Sequence, residues 1–291
     1  MFKTVGIHAQ EINDSTTTVI KKIVKTAGQF DCKFLFALKS ISFLESNSRV
    51  FPSTPEEMAQ KSDLVISVGG DGTLLKCARL IYPRNVALMG INLGRLGFLT
   101  DIAPERISDE LVQILEGNFL EEERTVLECE VFRAGKSIMK GDALNDVVIQ
   151  KWNSPRLITL STYVNEKFLH SQRSDGLIIT TPTGSTAYAL SGGGPILQPS
   201  LKALALVPIC PHTLTNRPIV INDSSSIEVH LTSDRDDTSR VTCDANTVAD
   251  LLPKDIVKIK TCDRRIRLVH PAYHDHFKTL RAKLNWGQSP C

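Results

Sequence analysis

Short apolar runs alternate with stretches of helical spacing over the first 120 residues. The apolar runs predict strands at residues 2–7, 32–38, 63–68 and 86–91. The helical stretches follow them, at residues 15–27, from 54, from 73 and at 104–115. Thr54 fits a helix N-cap, with Pro55 in the first turn and Glu57 placed to bond back to it. This alternation predicts an α/β domain in which helices cover both faces of a parallel sheet.

The pattern changes after the acidic run at residues 121–123. Short strand-like runs follow at residues 126–132, 146–150, 157–164, 176–181, 227–231 and 256–259. They predict an all-β sandwich domain at residues 123–270. From Pro271 the apolar spacing is helical again. We expect this C-terminal tail to pack back on the first domain, which then comprises residues 1–122 and 271–291.

The composition agrees with two folded domains, since 291 residues exceed one comfortable core. Hydrophobic residues make up 42% and charged residues 23%, which excludes a largely disordered chain. With 34 basic and 32 acidic residues, the formal charge of +2 gives no reason to expect a nucleic acid partner. No apolar stretch approaches the roughly 20 residues that cross a bilayer, and the N-terminus shows no export signal. We therefore predict a cytoplasmic protein with no membrane partner.

The seven cysteines are scattered, and no two of them are separated by only two residues. Their odd number and spacing exclude a disulfide framework and argue against a structural zinc site. His212, His270, His274 and His276 are likewise too scattered for their spacing to predict a metal site. We predict reduced cysteines, mostly buried and without a catalytic role.

A glycine-rich turn joins a predicted strand to a predicted helix. It consists of Gly69, Gly70, Asp71, Gly72 and Thr73. Backbone amides and the helix dipole attract phosphate at such a position, at the open edge of a parallel sheet. Asp71 is the informative residue of the turn, because a carboxylate there repels phosphate unless it holds a metal ion or accepts a proton. The alternative is a plain turn in which Asp71 caps the helix, and neither the Walker A pattern nor the dinucleotide fingerprint is present.

Three segments of the predicted second domain narrow the function. They are Asn145-Asp146 before an apolar strand, the string from Arg173 to Tyr188, and a glycine-rich bend at residues 191–196. In the string, an apolar strand runs into small hydroxyl residues, a glycine and one aromatic ring, which suits a nucleoside. The alternatives for the three segments are a turn, a helix-capping connection and a flexible bend.

The glycine turn resembles that of phosphofructokinases, diacylglycerol and sphingosine kinases, and NAD kinases. With the second-domain segments and residues 92–99 and 211–218, most of the chain resembles the NAD kinase family. The resemblance implies an N-terminal α/β domain, a C-terminal β-sandwich domain, and assembly into a homodimer or homotetramer. It also implies NAD and ATP as partners, with the γ-phosphoryl group of ATP transferred to the 2′-hydroxyl of the adenosine ribose to give NADP. A divalent ion, expected to be Mg²⁺, would bridge the phosphate oxygens.

The resemblance assigns roles to individual residues. Asp71 matches the carboxylate that acts on the ribose 2′-hydroxyl, as a base or as a metal ligand, and Gly72 matches an adjacent backbone contact. Phe98 matches an aromatic residue near the adenine, and Asn145 and Asp146 match the pair that holds adenosine. Further matches to the dinucleotide pocket, some of them reaching across a subunit interface, are Asp175, Thr183, Thr186, Ala187 and Tyr188. Phosphate binding is expected from the turn residues Gly69, Gly70, Gly72 and Thr73.

Two positions depart from the family pattern. Asp146 stands where Glu is usual, so its carboxylate is one methylene shorter. Asp244-Ala245-Asn246 replaces a commoner Asp-Gly-Gln, and we assign no role to these three residues.

Two other functions stay open on the sequence alone. A lipid kinase of the diacylglycerol or sphingosine type would share the turn, but it should carry an amphipathic membrane anchor, which the sequence does not offer. A nucleotide-sensing module without catalysis would explain the glycines and Tyr188 but not the carboxylate of Asp71. The sequence also leaves open whether polyphosphate replaces ATP, whether NADH is accepted, and whether NADP feeds back.

Overall fold

The computed structural model describes residues 2–37, 49–82, 84–94, 97–232 and 238–287. The chain divides into two compact units, Met1–Glu123 with Ile266–Cys291, and Arg124–Arg265. The predictions that touch Leu38, Arg95, Leu96 and Cys291 lie outside the described residues.

The first unit alternates strands and helices as the sequence predicts, with two further strands, Val50–Pro52 and Phe119–Arg124, that the apolar pattern did not predict. Its strands are β1 (Thr4–Ala9), β2 (Lys33–Phe36), β3 (Val50–Pro52), β4 (Leu64–Val68), β5 (Ala87–Ile91) and β6 (Phe119–Arg124). Its helices are α1 (Asp14–Ala27), α2 (Pro55–Lys61), α3 (Asp71–Ile81) and α4 (Ile107–Leu115), the last preceded by a 3-10 turn at Pro104–Arg106. The predicted capping box starts α2: Thr54 Oγ1 accepts from the Glu57 amide, and Glu57 Oε2 accepts from the Thr54 amide, both at 3.1 Å.

The second unit is built from antiparallel strands. They are β7 (Leu127–Arg133), β8 (Lys136–Ala143), β9 (Asp146–Lys151), β10 (Ile158–Val164), β11 (Lys167–Ser174), β12 (Gly176–Thr180), β13 (Ala203–Ile209), β14 (Ile219–Asn222), β15 (Ile227–Leu231), β16 (Ser239–Cys243), β17 (Asn246–Leu251) and β18 (Ile256–Thr261). A 3-10 turn at Gly184–Thr186 leads into the short helix α5 (Tyr188–Ser191). The strands form two sheets, in the orders β11-β10-β15-β18-β7-β8 and β14-β13-β12-β9-β16-β17. Apolar side chains of both sheets share one core, which confirms the β-sandwich.

The chain then returns to the first unit through β19 (Ile266–Pro271) and α6 (His276–Leu284). β19 pairs in parallel with β5, with Leu268 opposite Leu88. The predicted second domain, residues 123–270, included most of this strand. The structure differs because a short apolar alternation suits either sheet, and the sequence pattern does not say which one. The C-terminal tail packs on the first unit as predicted: Lys283 Nζ of α6 lies 5.3 Å from the ring centroid of Phe98.

Helices cover both faces of the first-unit sheet, whose strand order is β3-β2-β1-β4-β5-β19-β6. On one face, Val5 of β1 packs with the apolar sides of α1 and α4. On the other face, a Cβ added at Gly6 would meet Met58 of α2, and one at Gly90 would meet Leu74 of α3. The strand order reverses between β1 and β4. The glycine turn leaves the carboxyl end of β4 at this reversal, where open α/β sheets bind their ligands.

Candidate active site

The glycine turn, residues 69–73, exposes two of its glycines. Gly69 has a φ of +155°, and a Cβ there would lie 2.4 Å from Thr73 Oγ1, so this position requires glycine. A Cβ added at Gly70 or Gly72 would meet nothing within 4 Å, and both glycines are exposed. A phosphate group can therefore approach the backbone at the start of α3 from solvent.

The carboxylate of Asp71 bonds to the segment that follows β5 and does not cap α3, whose N-cap is Gly70. Oδ2 accepts a hydrogen bond from the amide of Phe98 at 2.8 Å. Oδ1 accepts from the amides of Leu99 and Thr100, each at 3.1 Å, and from Thr100 Oγ1 at 3.0 Å. A carboxylate oxygen offers about two acceptor positions. Within the described residues, Oδ1 is therefore fully occupied, and Oδ2 keeps one acceptor position for a ligand.

Gly97 and Asn92 hold this arrangement in place, and the sequence alone gives neither a role. A Cβ at Gly97 would lie 2.1 Å from Asp71 Oδ1, so only glycine allows the carboxylate this close approach. Asn92 Nδ2 donates to Thr100 Oγ1 at 3.1 Å, which leaves the hydroxyl proton of Thr100 to bond Asp71. β4 and β5 are neighbouring parallel strands, so their carboxyl ends meet at one edge of the sheet. The meeting of neighbouring parallel strands at one sheet edge is therefore the signal by which the sequence could have connected residues 92–100 with the glycine turn.

Phe98 lies beside the turn, and its role near the adenine stays a prediction. Its amide donates to Asp71, and its half-buried ring has Lys283 Nζ 5.3 Å from the centroid. The exposed part of the ring is available for stacking on a flat ligand.

In the second unit, Asp244 fixes the predicted pair Asn145 and Asp146. Its carboxylate accepts from the amides of Leu144 and Asn145, both at 2.8 Å, and from the amide of Asp146 at 3.2 Å. The pairing of β16 with β9 brings Asp244 there, across about 100 residues of sequence, and no local pattern signals it. The Oδ1 atom of Asn145 is buried without a hydrogen-bond partner among the described residues. Such an atom is a candidate ligand contact.

The loop at residues 181–188 lies against Asn145. The amide of Thr181 donates to the Asn145 carbonyl at 2.9 Å. A Cβ at Gly184 would lie 2.2 Å from the same carbonyl oxygen, so glycine permits this contact. The predicted ligand residues become more exposed along the loop: buried Thr183, half-buried Thr186 and Ala187, and Tyr188 at 42% exposure. The structure therefore brings the polar pair and the loop together.

Asp175 lies apart from these residues within the chain. It precedes β12, whereas the loop follows the other end of that strand, and five extended residues span about 17 Å. Its carboxylate pairs with Lys151 Nζ at 2.7 Å. A role for Asp175 in the dinucleotide pocket stays a prediction, as does the subunit contact that the resemblance implies.

The carboxyl of Asp146 gives the second unit a pH-dependent stability. Burial, reinforced by the charge of Asp244, raises the pKa of Asp146 to about 7. In the unfolded chain this carboxyl titrates near about 4. Between these values the native state holds a proton that the unfolded state releases, so the free energy of unfolding falls as pH rises from about 4 to about 7. The slope for one group is at most about 1.4 kcal/mol per pH unit.

Asp146→Asn removes this titration, so the stability of wild type relative to the variant should decline from about pH 4 to about pH 7. Urea unfolding at several pH values, without nucleotide, measures the difference. Asp263→Asn, at an exposed position of the same unit, is the control and should follow wild type. A constant difference between wild type and Asp146→Asn would contradict the raised pKa.

Ala245 occupies a backbone conformation that favours glycine. Asp244 and Ala245 join β16 to β17 with φ values of +47° and +62°, as in a type I′ turn. The left-handed conformation costs an L-residue about 1–2 kcal/mol. Glycine avoids this cost, but the greater flexibility of its unfolded chain cancels part of the gain in stability. We expect Ala245→Gly to raise the free energy of unfolding by about 0.5–1 kcal/mol in urea titrations. Ala249→Gly, which removes the same methyl group from extended β17, should lower it; a loss of stability in both variants would disprove the strain.

The first unit carries a glycine turn with a fixed carboxylate, and the second unit carries a polar loop beside Asn145; each feature is expected of a nucleotide-dependent phosphotransferase. Residues 5–119 match the ATP-NAD kinase N-terminal domain, and residues 144–271 match the ATP-NAD kinase C-terminal domain. The NAD kinase of Chromohalobacter salexigens is 40% identical over 287 residues, which cover 98% of this chain and 97% of that protein. The NAD kinase of Thiobacillus denitrificans is 49% identical over 232 residues, which cover 80% of this chain and 79% of that protein. This chain belongs to the NAD kinase family.

Solved structures share the fold. A yeast NADH kinase crystallised with NADH matches 99% of this chain and 89% of its own, with a TM-score of 0.90 at 24% identity. An NAD kinase from Archaeoglobus fulgidus crystallised with ATP matches 97% of this chain and 98% of its own, with a TM-score of 0.76 at 24% identity. These matches confirm the predicted fold class. In the described part of the chain, no helix has the length and apolar character needed to span a membrane.

Proposed function

We propose that this chain transfers the γ-phosphoryl group of ATP to the 2′-hydroxyl of the adenosine ribose of NAD, giving NADP and ADP. The observation that carries the proposal is the carboxylate of Asp71, which is fixed by four hydrogen bonds at an exposed glycine turn. An alcohol is a poor nucleophile at neutral pH. A positioned carboxylate that accepts its proton accelerates such a transfer by about 100- to 10,000-fold.

Either role predicted for Asp71, proton acceptor or metal ligand, falls to its Oδ2 atom. Oδ1 already accepts three hydrogen bonds, whereas Oδ2 accepts one, from Phe98. As a base, Oδ2 receives the hydroxyl proton while the 2′-oxygen bonds to the γ-phosphorus. The bond from that phosphorus to the β–γ bridging oxygen breaks, and ADP leaves with that oxygen.

Mg²⁺ fits the turn as an ion carried mainly by the triphosphate. Asp71 is the single carboxylate among residues 69–73. Of its two oxygens, Oδ2 keeps an acceptor position and Oδ1 does not, counted over the described residues. Mg²⁺ usually keeps several waters and takes one or two carboxylates besides the phosphates. When bound, the ion neutralises phosphate charge during the transfer. The exposed backbone at Gly70 and Gly72 leaves space for the same phosphates.

For NAD, the support comes from the second unit. Asn145 offers a buried Oδ1 without a partner among the described residues, and Tyr188 offers an exposed ring. Asn145 is half-buried, whereas Asp146 is only 6% exposed, so we assign the main polar contact with adenosine to Asn145. Roles for Thr183, Thr186, Ala187 and Asp175 stay predictions from the resemblance.

A coupled assay for NADP formation tests the proposed function. The full chain is incubated with ATP, Mg²⁺ and NAD, and a parallel sample receives labelled ATP with a diacylglycerol dispersion. We expect NADP, and no label in lipid. Label in lipid would favour the lipid kinase, and NAD binding by calorimetry without any product would favour a sensing module. NADH and polyphosphate in the same assay decide the questions of acceptor and donor.

Tyr188→Ala should raise the KM for NAD more than the KM for ATP, because the exposed ring of Tyr188 is proposed to line the NAD pocket. Initial rates at varied NAD and at varied ATP give the two constants. Tyr188→Phe keeps the ring and is the matched control, with both constants expected close to wild type. Equal increases of the two constants in Tyr188→Ala would place the ring elsewhere.

Two further properties are part of the proposal. We expect a homodimer or homotetramer, which light scattering of the purified protein checks. We expect the protein in the cytoplasm, which fractionation of cells checks.

A further inference from the structure

Three side chains of the first unit form a cluster outside the glycine turn. Asp101 Oδ2 lies 2.9 Å from His270 Nδ1 and 2.8 Å from His274 Nδ1. The two imidazole rings stack, with centroids 4.1 Å apart and planes 21° apart. One ligand atom of each residue lies within 4.8 Å of the other two. The spacing of the histidines in the sequence predicted no metal site. In the structure, a carboxylate 169 residues away from His270 lies beside two of them.

The cluster is buried and contains polar atoms without partners. The side chains of His270, His274 and Asp101 are 2%, 6% and 11% exposed. Among the described residues, Asp101 Oδ1 and the Nε2 atoms of both histidines are buried without a hydrogen-bond partner. Buried polar atoms are nearly always paired with protein, water or an ion. The unpaired carboxylate oxygen beside two imidazoles is thus a second, independent indication of a ligand.

We propose that Asp101, His270 and His274 form a binding site for a transition-metal ion, with Zn²⁺ as the best fit. Two imidazole nitrogens and one carboxylate suit Zn²⁺ and related divalent ions, whereas Mg²⁺ prefers oxygen ligands. A tetrahedral ion with bonds of about 2.0–2.1 Å holds its ligand atoms about 3.3 Å apart. The carboxylate–imidazole distances of 2.8 and 2.9 Å are within about 0.5 Å of this separation. The stacked rings must also turn so that both Nδ1 lone pairs point at the ion. Water completes the fourth position.

Metal binding changes the tautomer of both histidines. Without metal, each Nδ1–H donates a hydrogen bond to Asp101 Oδ2, because an ionised carboxylate can only accept. The ion needs the lone pair of Nδ1, so in each neutral ring the proton leaves Nδ1 and Nε2 takes one up from solvent, with no net release. Glu122 Oε2 lies 3.8 Å from His270 Nε2, where a small movement makes it the acceptor for the new Nε2–H. Metal-bound histidines usually make such an outer contact.

The proposed ion would connect the Asp71 support to the C-terminal tail. Asp101 directly follows Thr100, which bonds Asp71. His270 is the penultimate residue of β19, and His274 precedes α6. A bound ion would therefore raise the thermal stability of the first unit.

Titration of the chelator-treated full chain with Zn²⁺ or Co²⁺ tests the site. We expect one ion per chain, visible absorption bands of tetrahedral Co²⁺, and a higher Tm with Zn²⁺. Asp101→Asn and His274→Gln should each weaken Zn²⁺ binding by at least about 100-fold, since each removes a ligand. His276→Gln changes a histidine of the same segment outside the cluster and should bind as wild type. Cys210→Ser removes an exposed thiol that competes for zinc, and should also bind as wild type.

Wild-type affinity in both Asp101→Asn and His274→Gln, or loss of binding in Cys210→Ser, would overturn the proposal. Wild-type crystals soaked in Zn²⁺ and measured at the zinc absorption edge give a test that needs no variant. An anomalous peak between the three side chains is expected, and no peak there at saturating Zn²⁺ would refute the site. None of these measurements depends on the kinase activity.

Discussion

Asp71→Asn should lower kcat by about 100- to 10,000-fold while the fold is retained. Asparagine has the same shape, and its Oδ1 can keep the hydrogen bonds from Leu99 and Thr100. Its Nδ2 would face the amide of Phe98, donor against donor, and cannot accept the ribose proton. The coupled assay gives kcat, calorimetry gives NAD affinity, and thermal unfolding checks the fold.

The matched control is Asp14→Asn, which alters an exposed aspartate in the first turn of α1 and should leave turnover unchanged. Retained NAD binding in Asp71→Asn together with a rate within about tenfold of wild type would contradict the assignment as base. The residual activity also separates the two roles of Oδ2. A lost metal ligand should raise the Mg²⁺ concentration needed for half-maximal rate, whereas a lost base should not.

Gly97→Ala should lower kcat by about 100-fold, because its methyl group takes space that the carboxylate of Asp71 occupies. The added Cβ would lie 2.1 Å from Asp71 Oδ1 and 2.4 Å from Thr100 Oγ1, so the carboxylate must shift by about 1 Å. Misplacement of this size in an active site costs about two orders of magnitude in rate. The KM for NAD should change less than kcat, since the proposed contacts at Asn145 and Tyr188 belong to the second unit and are not altered.

Gly94→Ala is the control for this substitution. Gly94 belongs to the same segment, and a Cβ there would meet nothing within 4 Å. Its turnover and Tm should stay close to wild type. Equal kcat values for the two alanine variants would show that the position of Asp71 does not depend on Gly97.

The sequence predicted most elements because their periodicity is local. The capping box of Thr54 and Glu57 fixed the start of α2, and the runs before residues 69–73 and 181–188 became the buried strands β4 and β12. The predicted runs missed several strands of the second unit, among them β8, β11 and β17. β19 was placed in the second domain but belongs to the first unit. Its place depends on which sheet edge accepts a strand after the chain has passed through the second unit, and the apolar pattern of six residues carries no such information.

The sequence predicted the reactive residue of the candidate site, but it did not predict the residues that hold the site in place. Asp71 stands out because a carboxylate among glycines needs a chemical reason. Its partners at Phe98 and Thr100 are 27 and 29 residues away and meet it only because β4 and β5 are neighbours. Asp244 reaches Asn145 across 99 residues through the pairing of β16 with β9. Contacts of this kind follow from the order of strands in the sheet, and the local spacing of residues in the sequence does not determine that order.

A crystal structure of the full chain with NAD, Mg²⁺ and a non-hydrolysable ATP analogue tests the central claim most directly. We expect Asp71 Oδ2 within hydrogen-bond distance of the ribose 2′-oxygen, or within coordination distance of the ion, with the γ-phosphate at the glycine turn. Density showing Oδ2 remote from both the sugar and any cation, with the two substrates bound, would contradict it.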